Sequence, residues 1–250
     1  EIVQPEVPSM KTISEGRRTL VGVLFVLLIV RCLPMSLAQE VKKLGEVRGK
    51  INITRSETDS RNVAILDRYS THRTSPGPQG GMMMPGVAKL SEKAVIYLEG
   101  DAAKGQNFVP PTAHPILDQK DLAFHPQVLP ILVGTTVDFP NKDNLFHNVF
   151  SYSSPKEFDL GRYPTGDSKS VRFDKGGIVR VYCDIHSHMN ATILVLENPF
   201  FAVPDDGGLF VIKDVPNGTY TARLWYGREL AASQSVTIKN GEAVSVNFTY

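Results

Sequence analysis

From residue 45 onward the chain is written almost entirely in short runs of apolar or alternating residues, each ended by Gly, Pro, Asn or Asp. The run Gly45-Glu-Val-Arg-Gly-Lys-Ile-Asn-Ile alternates in its second half, and Ala94-Val-Ile-Tyr-Leu is continuously apolar. Similar runs recur at 128–133, 135–139, 168–173, 178–183 and 191–196, then at 209–212, 220–225, 234–238 and 244–248. Pro140-Asn141 and Gly176-Gly177 punctuate them. Side chains alternate across a strand, so a two-residue period means one buried face, whereas an amphipathic helix needs a period of 3.6. No stretch after the first forty residues sustains that longer period. Many short strands at this spacing fold as an all-β sandwich or barrel. The Ser-, Pro- and Gly-rich residues 69–86 read as a flexible loop, and 100–115 as a Pro/Ala/Gly-rich connection.

Two hundred and fifty residues suffice for one or two such domains, and a formal net charge of +1 gives no footprint for nucleic acid. The N-terminal region is organised differently. Lys11, Arg17 and Arg18 precede an apolar run at 20–30, and Ser36 and Ala38 stand just before Gln39-Glu40. This is the layout of a secretory signal peptide, with cleavage expected after Ala38. Residues 1–38 are read as that signal, with Met10 as its natural start and 1–9 as an upstream extension. The apolar run is about 11 residues, against about 20 for a bilayer span, so no stable membrane span is expected after cleavage; an uncleaved anchor is the alternative. Cleavage would remove Cys32 and leave Cys183 alone. A single thiol in an oxidising compartment is open to oxidation unless a metal occupies it.

The informative stretch is Val179-Arg-Val-Tyr-Cys183-Asp-Ile-His186-Ser-His188-Met189. Alternation puts Val179, Val181 and Cys183 on one face, so Cys183 leaves the inward face where the strand ends. His186 and Met189 follow within one tight loop, and a further donor stands in Phe146-His147-Asn148-Val149. A thiolate, two imidazoles and a thioether form the donor set of a blue-copper centre, acceptable to both oxidation states. Zinc suits Cys and His but rarely takes Met.

On Cys183-x-x-His186-x-x-Met189, with His147-Asn148-Val149, Val133-Gly-Thr-Thr-Val-Asp-Phe-Pro-Asn141 and Asp143 upstream, the chain resembles the cupredoxins of the amicyanin and plastocyanin group. The resemblance implies a Greek-key β-sandwich over 111–198 holding one mononuclear type 1 copper. It implies His147, Cys183 and His186 as equatorial ligands, Met189 as the axial one, and Asn148 tying the two ligand loops together. His188 departs from the pattern as a competing imidazole. Asp184 departs from it as a negative charge beside the thiolate, favouring the oxidised metal.

The tail Gly208-Leu-Phe210, Val215-Pro-Asn-Gly218 and Tyr220 resembles the second half of a carboxypeptidase regulatory-like, transthyretin-like sandwich, and Gly45-Glu-Val-Arg-Gly49 resembles the start of its first half. The copper-binding domain is then expected to interrupt this smaller sandwich. Its first half would lie in 39–110, the region that carries the 69–86 loop, and its second half in 199–250. Simple tandem domains are the alternative. Trp225 and Phe210 are expected in the core, His114 and His125 in solvated positions, and His72 in the flexible loop without a role.

The expected function is a periplasmic or secreted electron carrier serving an unspecified redox protein. Copper carriage or sensing, aided by His188 and Met82-Met83-Met84, is a second reading, and a cell-surface binding module a third. Catalysis is not expected, because a four-donor copper offers substrate no open position.

Overall fold

The computed structural model describes residues 43–54, 89–104 and 106–250. The expected signal, Cys32, His72, the 69–86 loop and Met82 to Met84 lie outside them. Strand β1 (Gly45–Asn52) pairs antiparallel with β13 (Leu209–Val215) and parallel with β16 (Ala243–Ser245) and β17 (Phe248–Thr249). A second sheet runs in the order β12 (Phe201–Ala202), β2 (Ala94–Glu99), β14 (Gly218–Tyr226), β15 (Glu229–Ile238). The two share one core, in which Val47, Ile51, Ile96 and Leu98 meet Phe210, Ile212, Tyr220 and Phe248. Residues far apart in sequence thus fill one interior.

Gly45 and Gly49 explain why β1 can lie where it does. A Cβ on Gly49 would stand 1.7 Å from the Val246 carbonyl oxygen, and one on Gly45 would stand 2.4 Å from the Ile238 side chain. Glycine inside a strand often marks such a close approach of another backbone. The 244–248 stretch, expected as one strand, is two short ones, β16 and β17, which the Val246 N–H bonded to the Arg48 carbonyl separates.

Between β2 and β12 the chain builds a second interior. A five-stranded sheet runs β5 (Val128–Leu132), β11 (Asn190–Leu196), β10 (Gly177–Tyr182), β7 (His147–Ser153), β8 (Lys156–Tyr163). Facing it are the pair β6 (Thr135–Pro140) and β9 (Ser168–Phe173), and the hairpin β3 (Asp118–Lys120), β4 (Ala123–His125). The core between them includes Leu117, Phe124, Phe139, Val149, Phe173, Val181 and Ile193, together with Cys183 and Met189. Helix is confined, among the described residues, to one turn at Leu90–Lys93 and a 3-10 turn at Asp101–Ala103. No helix there is long and apolar enough to cross a membrane. The protein is all-β.

The two interiors are joined by a third cluster. Val95 and Tyr97 of β2 and Trp225 of β14 pack against Val128 of β5 and Leu194 of β11. This is why β2 is apolar at every position from Ala94 to Leu98: alternate residues face two different cores. Trp225 and Phe210 are both buried, as expected. The Arg180 guanidinium stacks 5.3 Å from the Trp225 ring centre and donates to Thr192 Oγ1, tying the β10–β11 face to β14. His114 and His125 reach solvent, as expected, and each also meets a carboxylate. Their Nδ1 atoms lie 2.9 Å from Asp138 and 3.0 Å from Glu92, respectively.

Candidate metal centre

The site forms where two pieces of chain meet. Strand β7 begins with His147, whose side chain is fully buried. Strand β10 ends at Tyr182, and Cys183 follows, still buried on the inward face with Val179 and Val181. The loop then turns back on itself: the Met189 N–H donates to the His186 carbonyl at 2.9 Å, and the Cys183 N–H to the Met189 carbonyl at 3.3 Å. Met189 is 1% exposed, packed in the same core as Cys183, before β11 resumes.

This closure brings three donor atoms together. His147 Nδ1 and His186 Nδ1 each lie 3.9 Å from Cys183 Sγ, and 3.0 Å from one another. Such a triangle has a circumscribed radius of about 2.1 Å, so one point is equally far from all three donors at a distance within the ~2.0–2.3 Å of metal–nitrogen and metal–thiolate bonds. Among the described residues this is the only such grouping of His, Cys, Asp and Glu. The donor set and its dimensions fit a single metal ion.

Hydrogen bonds settle which ring atom of His147 faces the site. Its Nε2 lies 2.8 Å from Asp143 Oδ2. Burial raises the Asp143 pKa, but the Leu122 N–H, the His147 ring and the Asp121 N–H outweigh it, and the group stays a carboxylate at neutral pH. A carboxylate only accepts, so this contact matches the ring form that carries its proton on Nε2 and leaves Nδ1 toward Cys183 and His186. His186 is partly exposed. Lost hydration, then the neighbouring His147 and His188, lower its pKa, which keeps the ring neutral and able to ligate at neutral pH.

Asn148 bridges the two ligand segments. Its Oδ1 accepts the Asp184 N–H at 3.1 Å, and its Nδ2 donates to Asp159 Oδ1 at 2.7 Å. The expectation about Asp184 needs revision: its carboxylate turns outward to Arg162, 3.1 Å away, so its charge is paired rather than directed at the thiolate. His188 is exposed, its ring centre 6.2 Å from that of His186, and it stands outside the donor triangle.

Sequence reasoning overlooked what supports His147. Strand β8 lies beside β7, with Tyr163 opposite His147. The alternation in Lys-Glu-Phe158-Asp-Leu160 was a signal for it. Buried Tyr163 donates to the Phe139 carbonyl and accepts from Gln119 Nε2, and burial raises its pKa. Asn141 Nδ2 donates to the carbonyls of Leu145 and Tyr163, fixing the loop that leads into His147.

No family model matches the chain, and no curated protein does. Among solved structures it is similar to a copper-containing nitrite reductase from Thermus scotoductus: 28% identity over 38% of this chain and 24% of that one, TM-score 0.33. It is similar to a purple cupredoxin from Nitrosopumilus maritimus, with 27% identity over 32% of this chain and 96% of that one, TM-score 0.29. A reduced amicyanin variant shares 18% identity over 35% of this chain and 92% of its own, TM-score 0.32. The chain spans about a quarter of the nitrite reductase's length. About a third of the chain is similar to cupredoxins.

Proposed function

We propose that this protein is an exported one-electron carrier with a single copper centre held by His147, Cys183 and His186, with Met189 as a weak axial donor. The observation that carries the reading is the donor triangle, because a thiolate and two imidazoles converge at bonding distance around one point. Copper bound there would supply a one-electron couple, with Cu(I) and Cu(II) both tolerated by this soft and borderline ligand set. The chain's own residues do the rest. The buried Cys183 and His147 shield the centre from water, Asn148 holds the two ligand segments at fixed separation, and His186 alone of the three reaches the surface. Electrons would pass to and from another redox protein. Nothing in this arrangement calls for substrate, nucleic acid or a membrane span.

The reading of the other sandwich is also a proposal: residues 44–100 and 199–250 form one regulatory-like domain that the copper domain (111–198) interrupts. The pairing of β1 with β13 and the shared core of Val47, Leu98, Phe210 and Phe248 support it. Export rests on the 1–38 sequence pattern.

The test is addition of Cu(II) to purified protein beginning at Gln39. An intense visible band that is lost in Cys183→Ser is expected; binding without such a band would exclude the thiolate–copper centre. Copper carriage is the second reading, favoured by the exposed imidazole of His188 beside His186. Reversible reduction with the metal retained separates the carrier of electrons from the carrier of copper.

A further inference from the structure

We propose that Asp143, together with the turn Asp121-Leu122, is a positioning device that locks His147 with its Nδ1 lone pair aimed at Cys183 and His186. Its purpose rests on the copper reading above, though its geometry does not. The Asp143 carboxylate makes three hydrogen bonds. Oδ2 accepts from His147 Nε2 at 2.8 Å and from the Leu122 N–H at 2.9 Å, while Oδ1 accepts from the Asp121 N–H at 2.6 Å. Its main chain is pinned as well: its N–H donates to Asn141 Oδ1 at 3.0 Å, and its carbonyl accepts from Thr165 Oγ1 at 2.5 Å. The carboxylate therefore cannot swing, and neither can the ring it holds.

The turn supplying the two N–H groups is strained in the way a purpose-built receptor is. Asp121 and Leu122 have φ of +54° and +58°, the left-handed region, with no glycine to relieve it. That conformation is disfavoured for a residue bearing a Cβ, and it persists where the surroundings over-determine it. Here both amides converge on one carboxylate. The hairpin β3–β4 is fastened to the loop from the other side too, by the Lys142 N–H on the Gln119 carbonyl and by the Lys142–Asp118 ion pair. A carboxylate behind a metal-binding imidazole fixes its tautomer and raises its basicity. His147 would then need no rearrangement when metal arrives or leaves.

The experiment is nitrogen-15 NMR of the histidine rings in metal-free protein, paired with Cu(II) titrations. In the wild type, His147 is expected as a single Nε2–H tautomer with a slowly exchanging proton. In Asp143→Ala the tautomers mix or switch, and copper affinity falls about 10–100-fold. A wild-type His147 protonated on Nδ1 overturns the proposal, and that arm needs no variant to fold. An unchanged tautomer in the folded variant, or a changed tautomer with affinity within twofold of wild type, also overturns it. If the wild type takes up no copper, the copper reading fails, while the tautomer measurement still decides the lock.

Discussion

Cys183 is where single-residue chemistry is most exposed to test. Replacing its sulfur by oxygen in Cys183→Ser removes the only thiol among the described residues, and on the proposed copper reading the charge-transfer absorption should go with it, although two imidazoles remain for weaker binding. Met189 poses a different question, since a thioether at an axial position binds weakly and mainly tunes the potential. Met189→Leu nearly conserves volume and should cost under about 1.5 kcal/mol. Copper should be retained and the reduction potential raised, as cyclic voltammetry would show. An unchanged potential would remove Met189 from the ligand set. Asp143 predicts a pH dependence. Its folded pKa lies below its unfolded one, so its contribution to stability is complete above the ordinary carboxylate value and is lost as pH falls through the folded one. Urea unfolding of metal-free protein at pH 7 and at successively lower pH should show this loss, flattened in Asp143→Asn.

At the scale of elements, glycine in β1 decides whether the first sandwich closes. Gly49→Ala would drive a Cβ into the Val246 carbonyl, an obstacle made of backbone that no rotamer can avoid. Overpacking of this kind costs typically 1–3 kcal/mol or more, and β16 and β17 should lose protection from hydrogen exchange first. The two glycines of Gly45-x-Val-x-Gly49 were legible in the sequence, but their reason was not, since the obstruction comes from residues some two hundred positions away. The hairpin β3–β4 was not legible at all. Its turn contains neither Asn-Gly nor Asp-Gly, the usual signals for that backbone, because hydrogen bonds to Asp143 substitute for glycine's freedom. Strand β8, by contrast, was readable in its alternation and was passed over.

Across the whole molecule, the cluster of Val95, Tyr97, Val128, Leu194 and Trp225 determines whether the two sandwiches behave as one. Trp225→Ala should destabilise by about 3–5 kcal/mol and also remove the ring on which Arg180 stacks. Calorimetry should then resolve two unfolding transitions where the parent shows coupled ones. The visible spectrum of the copper-loaded protein should be unchanged, because no donor residue lies in that cluster. A single transition shifted as a unit would mean that the modules are coupled elsewhere.

The amino-acid sequence by itself determined the β class and pointed to His147, Cys183 and His186, three residues whose donor atoms lie together. Two-residue alternation and the spacing Cys183-x-x-His186-x-x-Met189 are local properties, set by the backbone period and by one loop. It also placed Trp225 and Phe210 in the interior. Only the tertiary structure decided what surrounds those donors: that His147 reaches Cys183, that Asp143 holds the far side of the His147 ring, and that Asp184 is paired with Arg162 rather than facing the thiolate. Each of these depends on strands distant in sequence arriving side by side, and hydrophobic burial drives that arrival without being written in any one segment.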